Sequence, residues 1–185
     1  MQASYGRGGQ GAVIRFAIVP CSFGYLLVAA TERGICSARL GDEEEALEAS
    51  LRQEFHAAEL RRDEADLKDR VQALLEHLAG RQTHLDLPLD VQATGFQWRV
   101  WQALRAIPYG ETRTYSQIAQ SIGQSGAARA VGRACATNTV ALIIPCHRVV
   151  REDRSPSDFR WGTERKQRLL QHEAQNSGQM SLLTI

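Results

Sequence analysis

Cysteine is scarce and unpatterned in this 185-residue chain: four residues, at positions 21, 36, 135 and 146, with no Cys-x-x-Cys pair. A disulfide scaffold or a zinc module needs more thiols at tighter spacing, so neither is expected, and a reducing cytosol is the default setting. Long apolar runs are missing too. The stretch from Phe16 to Ala30 follows Arg15 and is broken by Pro20 and Gly24, which excludes a membrane span and argues against a signal peptide. No internal repeat is present. Net charge is almost absent: 22 basic against 21 acidic side chains leave +1, which points neither toward nor away from nucleic acid or membrane.

What the chain does have is 43% hydrophobic and 23% charged residues, enough to bury a core in one domain or two small ones and a poor match to disorder or coiled coil. The near-neutral total hides an asymmetry. Residues 1–98 carry 10 basic and 15 acidic side chains, net −5, whereas residues 99–170 carry 12 and 5, net +7. The second half is therefore the one suited to a polyanion.

Periodicity supports the same division. Met1 to Ala12 is rich in Gly, Gln and Ser and reads as a flexible tail or linker. Val13–Val19, Gly24–Ala30 and Gly34–Leu40 read as an antiparallel meander separated by turn-prone triplets. Asp42–His56 and Glu64–Ala79 then place Leu47, Leu51 and Phe55, and Leu67, Val71, Leu74, Leu75 and Leu78, at helical spacing. Residues 13–90 thus form an α/β domain, and the extended Leu85–Ala93 stretch leads to a second domain over 91–175, with 176–185 as a tail. There, Thr94-x-x-Gln97 and Thr114-x-x-Gln117 match the capping-box pattern and predict helix starts. The second of these helices runs from Tyr115 to Ile122. A third, capped by Ser125, is expected over Gly126–Thr137, then a buried strand Val140–Ile144 and a last helix Glu164–Ala174.

Two constellations bear on chemistry. A helix, a Gly-containing turn and a helix with Arg129, Arg133 and the small residues Ala127, Ala128, Ala130 and Ala134 has helix-turn-helix spacing, and small side chains let a backbone approach DNA. A tightly packed helical hairpin is the plainer alternative. The second is Pro145-Cys146-His147-Arg148 at the end of an apolar run. Neighbouring side chains on a strand face opposite ways, so Cys146 and His147 cooperate only if Pro145 forces a turn or a water bridges them; otherwise Cys146 is a small core residue and His147 a satisfied one. His147 as base, or the charge of Arg148, would raise the thiolate fraction. Lowering the pKa from about 8.5 to about 7 gains roughly 16-fold in thiolate and returns about 5-fold in nucleophilicity. Positioning of the electrophile and protonation of its leaving group must supply the rest. Glu173 on the last helix is a candidate third member of a Cys/His/Glu relay, or simply a surface residue.

Pro145-Cys146-His147-Arg148-Val149, with Tyr115, Arg129 and Asn138 before it and Arg160-Trp161-Gly162 after it, closely resembles the O6-alkylguanine-DNA alkyltransferases from about Thr94 to Glu173. Tyr5-Gly6-Arg7-Gly8-Gly9 resembles the linker preceding this module in bacterial Ada-type regulators. The resemblance implies a small ribonuclease-H-like N-terminal domain followed by a winged, helix-turn-helix-type one. It implies single-turnover repair: the alkyl group of O6-methylguanine, or less well O4-methylthymine, passes irreversibly to Cys146. In that reading His147 is the base acting through water, Glu173 orients it, and Asn138 is the hinge residue supporting the site. Tyr115 helps rotate the nucleotide and donates toward guanine N3, Arg129 fills the vacated stack, and the Val149 carbonyl reads the guanine amino group. Ala128, Ala130, Cys135, Arg148, Phe159 and Arg160 complete the implied substrate and DNA contacts.

The implied partner is alkylated duplex DNA, bound through the minor groove with the base flipped out, by a monomer in a bacterial cytoplasm near the nucleoid; no cofactor, metal or membrane is expected. One stretch departs from the family: Arg151–Phe159 has no glycine, and it carries Asp158 where Gly or Asn is usual and Phe159 where Tyr is usual. This bears on the alkyl groups accepted rather than on the reaction. The competing expectations are a sensor of alkylated bases that does not repair them, a DNA-binding transcriptional regulator, and a Cys/His acyl hydrolase.

Overall fold

The computed structural model describes residues 3–182, with side chains up to residue 178. The chain forms two compact units, residues 1–93 with 139–143, and residues 94–138 with 144–185. In the first, strands β1 (Val13–Cys21), β2 (Gly24–Thr31) and β3 (Gly34–Gly41) make the expected meander, and helix α1 (Glu44–Glu54) follows. A fourth strand, β4 (Glu59–Arg62), adds parallel to β1, giving the order β3-β2-β1-β4. Reading the sequence misses β4 because Glu-Leu-Arg-Arg has no apolar alternation; it is a charged edge strand, the kind that discourages further pairing. Helix α2 (Lys68–Leu78) packs against β1.

Strand alternation explains the core. Phe16 pairs with Ala29 and Ile18 with Leu27, so these four share a face, where they bury Leu47 and Leu51 of α1 together with Phe55. Ala17, Leu26 and Val28 on the opposite face are equally buried. The β1–β2 turn depends on Gly24, whose φ is +101° and where a Cβ would lie 2.3 Å from the Gly41 carbonyl oxygen. Only glycine fits there.

Three expectations about this unit change. From residue 3 onward the segment expected as a flexible tail is held in place: the Ser4 N–H donates to Asp90 Oδ1 at 2.8 Å, the Tyr5 hydroxyl donates to the Asp90 carbonyl at 3.1 Å, and the Tyr5 ring packs edge-on against Phe55, while residues 1–2 lie outside the described residues. The expected strand Val140–Ile144 is a single bridge from Val140 to Ala38 followed by a turn. The Ile143 N–H bonds to the Ala141 carbonyl at 2.8 Å, and Leu142 takes the left-handed conformation with φ 70°, so this apolar stretch satisfies its backbone by curling. Residues 139–143 also belong with the first unit rather than the second, because the Ala38 N–H donates to the Thr139 carbonyl and the Ala141 N–H to the Ala38 carbonyl, both at 2.9 Å.

In the second unit both capping boxes form. Thr94 and Gln97 cap α3 (Gly95–Arg105), and Thr114 and Gln117 cap α4 (Tyr115–Ser121). Helix α5 (Ala128–Ala136) starts two residues later than expected and lacks the Ser125 cap; its N-cap is Ala127 with no side-chain bond. The reason is Gly126, whose φ of +92° cannot continue a right-handed helix. Strands β5 (Arg113–Thr114) and β6 (Val149–Val150) pair in parallel, and a 3-10 turn, Cys146–Arg148, precedes β6. Helix α6 spans Thr163–Leu182, so the expected tail from 176 is helical through 182; nothing in Gln175–Ser177 breaks the helix, and Asn176 Nδ2 bonds His172 Nε2 one turn back at 2.9 Å. Residues 183–185 lie outside the described residues.

Candidate active site

Pro145 sits at φ −80°, ψ 63° and turns the chain into the 3-10 turn that carries Cys146, His147 and Arg148. The three side chains therefore do not alternate across a strand, which removes the geometric objection to their cooperation. All three are buried, with His147 at 0% exposure.

Asn138, just beyond α5, is the clasp. Its Nδ2 donates to the Ile144 carbonyl at 2.8 Å and to Cys146 Sγ at 3.2 Å, holding the turn and the sulfur together. On the far side of the turn, α6 supplies Glu173, whose carboxylate accepts from His147 Nε2 at 2.8 Å, from Arg148 Nε at 2.8 Å and Nη2 at 3.0 Å, and from the Gly110 N–H at 3.2 Å. Burial alone would raise the Glu173 pKa, but the His147 ring and the Arg148 guanidinium outweigh it and hold the carboxyl well below the usual carboxylate range. An ionised carboxylate only accepts, so the hydrogen of neutral His147 is on Nε2 and its lone pair is on Nδ1. That Nδ1 is buried with no hydrogen-bond partner among the described residues.

Cys146 is the other chemically incomplete group. Burial pushes its thiol pKa up, against the opposing pull of the Asn138 hydrogen bond and the nearby Lys166 and Arg160 charges. The expected depression by Arg148 does not operate, because that guanidinium is paired with Glu173 and donates its Nη1 to the Ile107 carbonyl at 2.9 Å. The resting sulfur is therefore a thiol, and a proton acceptor is required before it attacks.

Beside the sulfur lies a cavity of about 480 Å³, lined by Tyr115, Cys135, Cys146, Ser157, Asp158 and Phe159 among others. That is within the usual size of a small-molecule site, roughly 300–1,000 Å³. Phe159 stacks edge-on between His147, at a ring separation of 6.4 Å, and Trp161, at 5.0 Å. A shallower groove follows α4 and α5, lined by Tyr115, Ala128, Arg129, Gly132 and Arg151; Arg129 is exposed there and Ala130 is half-buried.

The sequence-predicted residues thus divide. Asn138 with Cys146 and His147 with Glu173 form two hydrogen-bonded pairs carried by the same 3-10 turn, and Tyr115, Cys135 and Phe159 wall the adjoining cavity with the exposed Arg160. Two expectations are revised. Arg148, expected to contact DNA, is 4% exposed and tied to Glu173, so it is part of the buried scaffold. The Val149 carbonyl already accepts from Lys166 Nζ at 2.6 Å, which leaves it one lone pair for another donor. Sequence reading missed Lys166 and Ser157: a Lys in a helix reads as solvated and a Ser in a polar loop as a turn residue, and no periodicity marks either. Among the described residues no cluster of three His, Cys, Asp or Glu is placed to hold a metal ion, and no helix is long and apolar enough to cross a membrane.

The family model described as the 6-O-methylguanine DNA methyltransferase ribonuclease-like domain matches residues 14–91, and that of the same family's DNA binding domain matches residues 95–175. The chain is 48% identical to the bifunctional transcriptional activator/DNA repair enzyme Ada of Escherichia coli over 169 residues, 91% of this chain and 48% of that protein; it spans about half the length of that relative. It is 37% identical to the inducible methylated-DNA–protein-cysteine methyltransferase of Bacillus subtilis over 131 residues, 71% of this chain and 73% of that protein. The crystal structure of Mycobacterium tuberculosis O6-methylguanine methyltransferase superposes with a TM-score of 0.74 at 34% identity, covering 88% of this chain and 94% of that one. The fold described above, an α+β arrangement of a ribonuclease-like unit and a helical DNA-binding unit, is the one these relatives define, and the chain belongs to the 6-O-methylguanine DNA methyltransferase family.

Proposed function

We propose that this chain repairs DNA by moving the alkyl group from O6 of guanine, and less well from O4 of thymine, onto Cys146 Sγ, once and irreversibly per molecule. The observation that carries the reading is a buried thiol at the wall of a purine-sized cavity, clasped by Asn138, next to a histidine whose tautomer leaves one nitrogen as a base. The thiol proton passes to His147 Nδ1 through a bridging water, and Glu173 stabilises the imidazolium that forms, as a buried carboxylate does in hydrolase triads. Asn138 Nδ2 donates to the sulfur as negative charge grows on it. Sγ attacks the alkyl carbon in line, the carbon–O6 bond breaks, and the base leaves with its electron pair after accepting a proton at a ring nitrogen from Tyr115.

O6 of a stacked guanine is out of reach of a buried thiol, so the nucleotide must first be flipped, at a cost of a few kcal/mol. The groove of small residues along α5 suits close approach to the minor groove, with Arg129 taking the place of the departed base and Tyr115 turning the nucleotide. Ala128 and Ala130 permit that approach, while Cys135, Phe159 and Arg160 border the flipped base. Little sequence readout follows, because the minor groove offers a degenerate code. The protein acts as a monomer in the bacterial cytoplasm, at the nucleoid.

The test is mass spectrometry after incubation with O6-methylguanine duplex DNA. One methyl group per molecule on the peptide containing Cys146 is expected. Continued processing of fresh substrate by one aliquot of protein overturns the reading in favour of a turnover enzyme.

A further inference from the structure

Lys166 is 1% exposed, an unusual position for an ammonium group. Its Nζ donates to the Val149 carbonyl at 2.6 Å and to Ser157 Oγ at 2.8 Å. Ser157 Oγ is in turn hydrogen-bonded to the Tyr115 hydroxyl, and both Ser157 and Tyr115 line the cavity beside Cys146.

Donor counting fixes the direction of this chain. An ammonium only donates, so Ser157 Oγ accepts from Lys166, and a serine hydroxyl has a single hydrogen left to place. One hydroxyl hydrogen stays unpaired in either direction: were Tyr115 the donor it would be that of Ser157, which is only 7% exposed and contacts no third group among the described residues, whereas with Ser157 as donor it is that of the half-buried Tyr115. An unmade buried hydrogen bond is disfavoured, and donation by a cation polarises the next link the same way. Ser157 therefore donates to the Tyr115 oxygen, and the Tyr115 hydrogen is left for the cavity.

We infer that Ser157 is a positioning residue for alkyl transfer: bridging Lys166 and Tyr115, it aims the Tyr115 hydroxyl hydrogen at the ring nitrogen of the departing base. The inference rests on the repair reading above. As the sulfur–carbon bond forms and the carbon–O6 bond breaks, the electron pair enters the purine ring. The ring nitrogen takes the Tyr115 proton, Ser157 resupplies Tyr115, and the Lys166 ammonium resupplies Ser157, ending as the neutral amine. The proton count closes, because the thiol proton is held separately on His147. Burial already pushes the Lys166 pKa below its ordinary value, which favours that last step.

Single-turnover methylation of Cys146 in the full chain separates this role from a structural one, with O6-methylguanine DNA and methyl iodide as donors. Iodide needs no proton to leave. Ser157→Ala is expected to slow transfer from DNA roughly tenfold, less than the ~10²–10⁴ of losing a general acid outright, and to leave the methyl iodide rate unchanged. Ser157→Thr, which keeps the hydroxyl, restores transfer from DNA, and in a Tyr115→Phe background Ser157→Ala has no further effect. Equal slowing with both donors, no slowing with either, or additive effects of the two substitutions overturns the inference. A wild-type chain that takes methyl from methyl iodide but never from DNA removes the repair reading itself, and this inference with it.

Discussion

Both units bury charge, but they finish it differently. In the first, Asp90 is 3% exposed and accepts from the Ser4 backbone and from the hydroxyls of Ser4 and Thr31, while Arg39, also 3% exposed, is held by Ser37, Ser50 and Glu54. In the second, Glu173 and Arg148 are just as thoroughly paired, yet the cluster ends in a bare His147 Nδ1 and a thiol facing a cavity. Burial and pairing of polar groups alone therefore do not mark a site. What distinguishes the second unit is a saturated carboxylate that fixes a neighbour with reactive capacity left over.

The largest effect that would break this contrast is on Glu173. Glu173→Ala strands a buried guanidinium and is expected to cost about 3–5 kcal/mol of stability, by urea denaturation, and to slow methyl transfer as well. Asp90→Asn, in the finished cluster, is expected to cost only about 1–3 kcal/mol and to leave the transfer rate unchanged; a slowed rate would show that the first unit's polar cluster is not merely architectural.

Acid gives a finer comparison. The folded-state pKa of Glu173 is depressed by His147 and Arg148 against its burial, and that of Asp90 by its hydrogen bonds to Ser4 and Thr31, again against burial. Each thus contributes stability that is fully present above its unfolded pKa, about 4.3 for Glu and 3.9 for Asp, and lost as pH falls toward the folded value. Unfolding free energies from urea titrations between pH 7 and pH 3 should stay level to about pH 5 and then fall, by at most about 1.4 kcal/mol per pH unit for each proton taken up. Glu173→Gln should remove more of that slope than Asp90→Asn.

The smallest effect concerns the backbone. The tight turn of the first unit places Gly24 at φ +101°, whereas the loop bordering the cavity places Arg154 at φ 64°. Arg154→Gly should raise the unfolding free energy by up to about 1 kcal/mol with no change in transfer. A loss of stability would mean that the Arg154 side chain contributes more than its conformation costs.

Legibility followed the physics of each element. The meander and α1 could be read because their apolar residues recur at the period of the structure they form, and both Thr-x-x-Gln boxes because a cap is a local bond between residues three apart. β4 could not, since a solvated edge strand has no apolar signal. Val140–Ile144 read as a strand because burial is visible in composition while a turn at a left-handed leucine is not. In the site, Cys146, His147 and Glu173 stood out by chemistry and by resemblance. The burial of Arg148 and Lys166 did not, because a charge's exposure depends on partners 25 and 17 residues away, Glu173 and the Val149 carbonyl.

The route of the backbone through the two units has a consequence for biogenesis. The outer edge of β3, which also bridges Leu89, is completed by Thr139 and Val140, and the Ser37 hydroxyl meets the Thr139 carbonyl across 102 residues of sequence. A ribosome must therefore synthesise about half of the second unit before the sheet of the first can close, and contacts so remote slow folding. A fragment starting at Thr94 would carry a greasy ribbon, residues 139–143, parted from its partner strand, so truncation would report on that orphaned ribbon as much as on the cysteine.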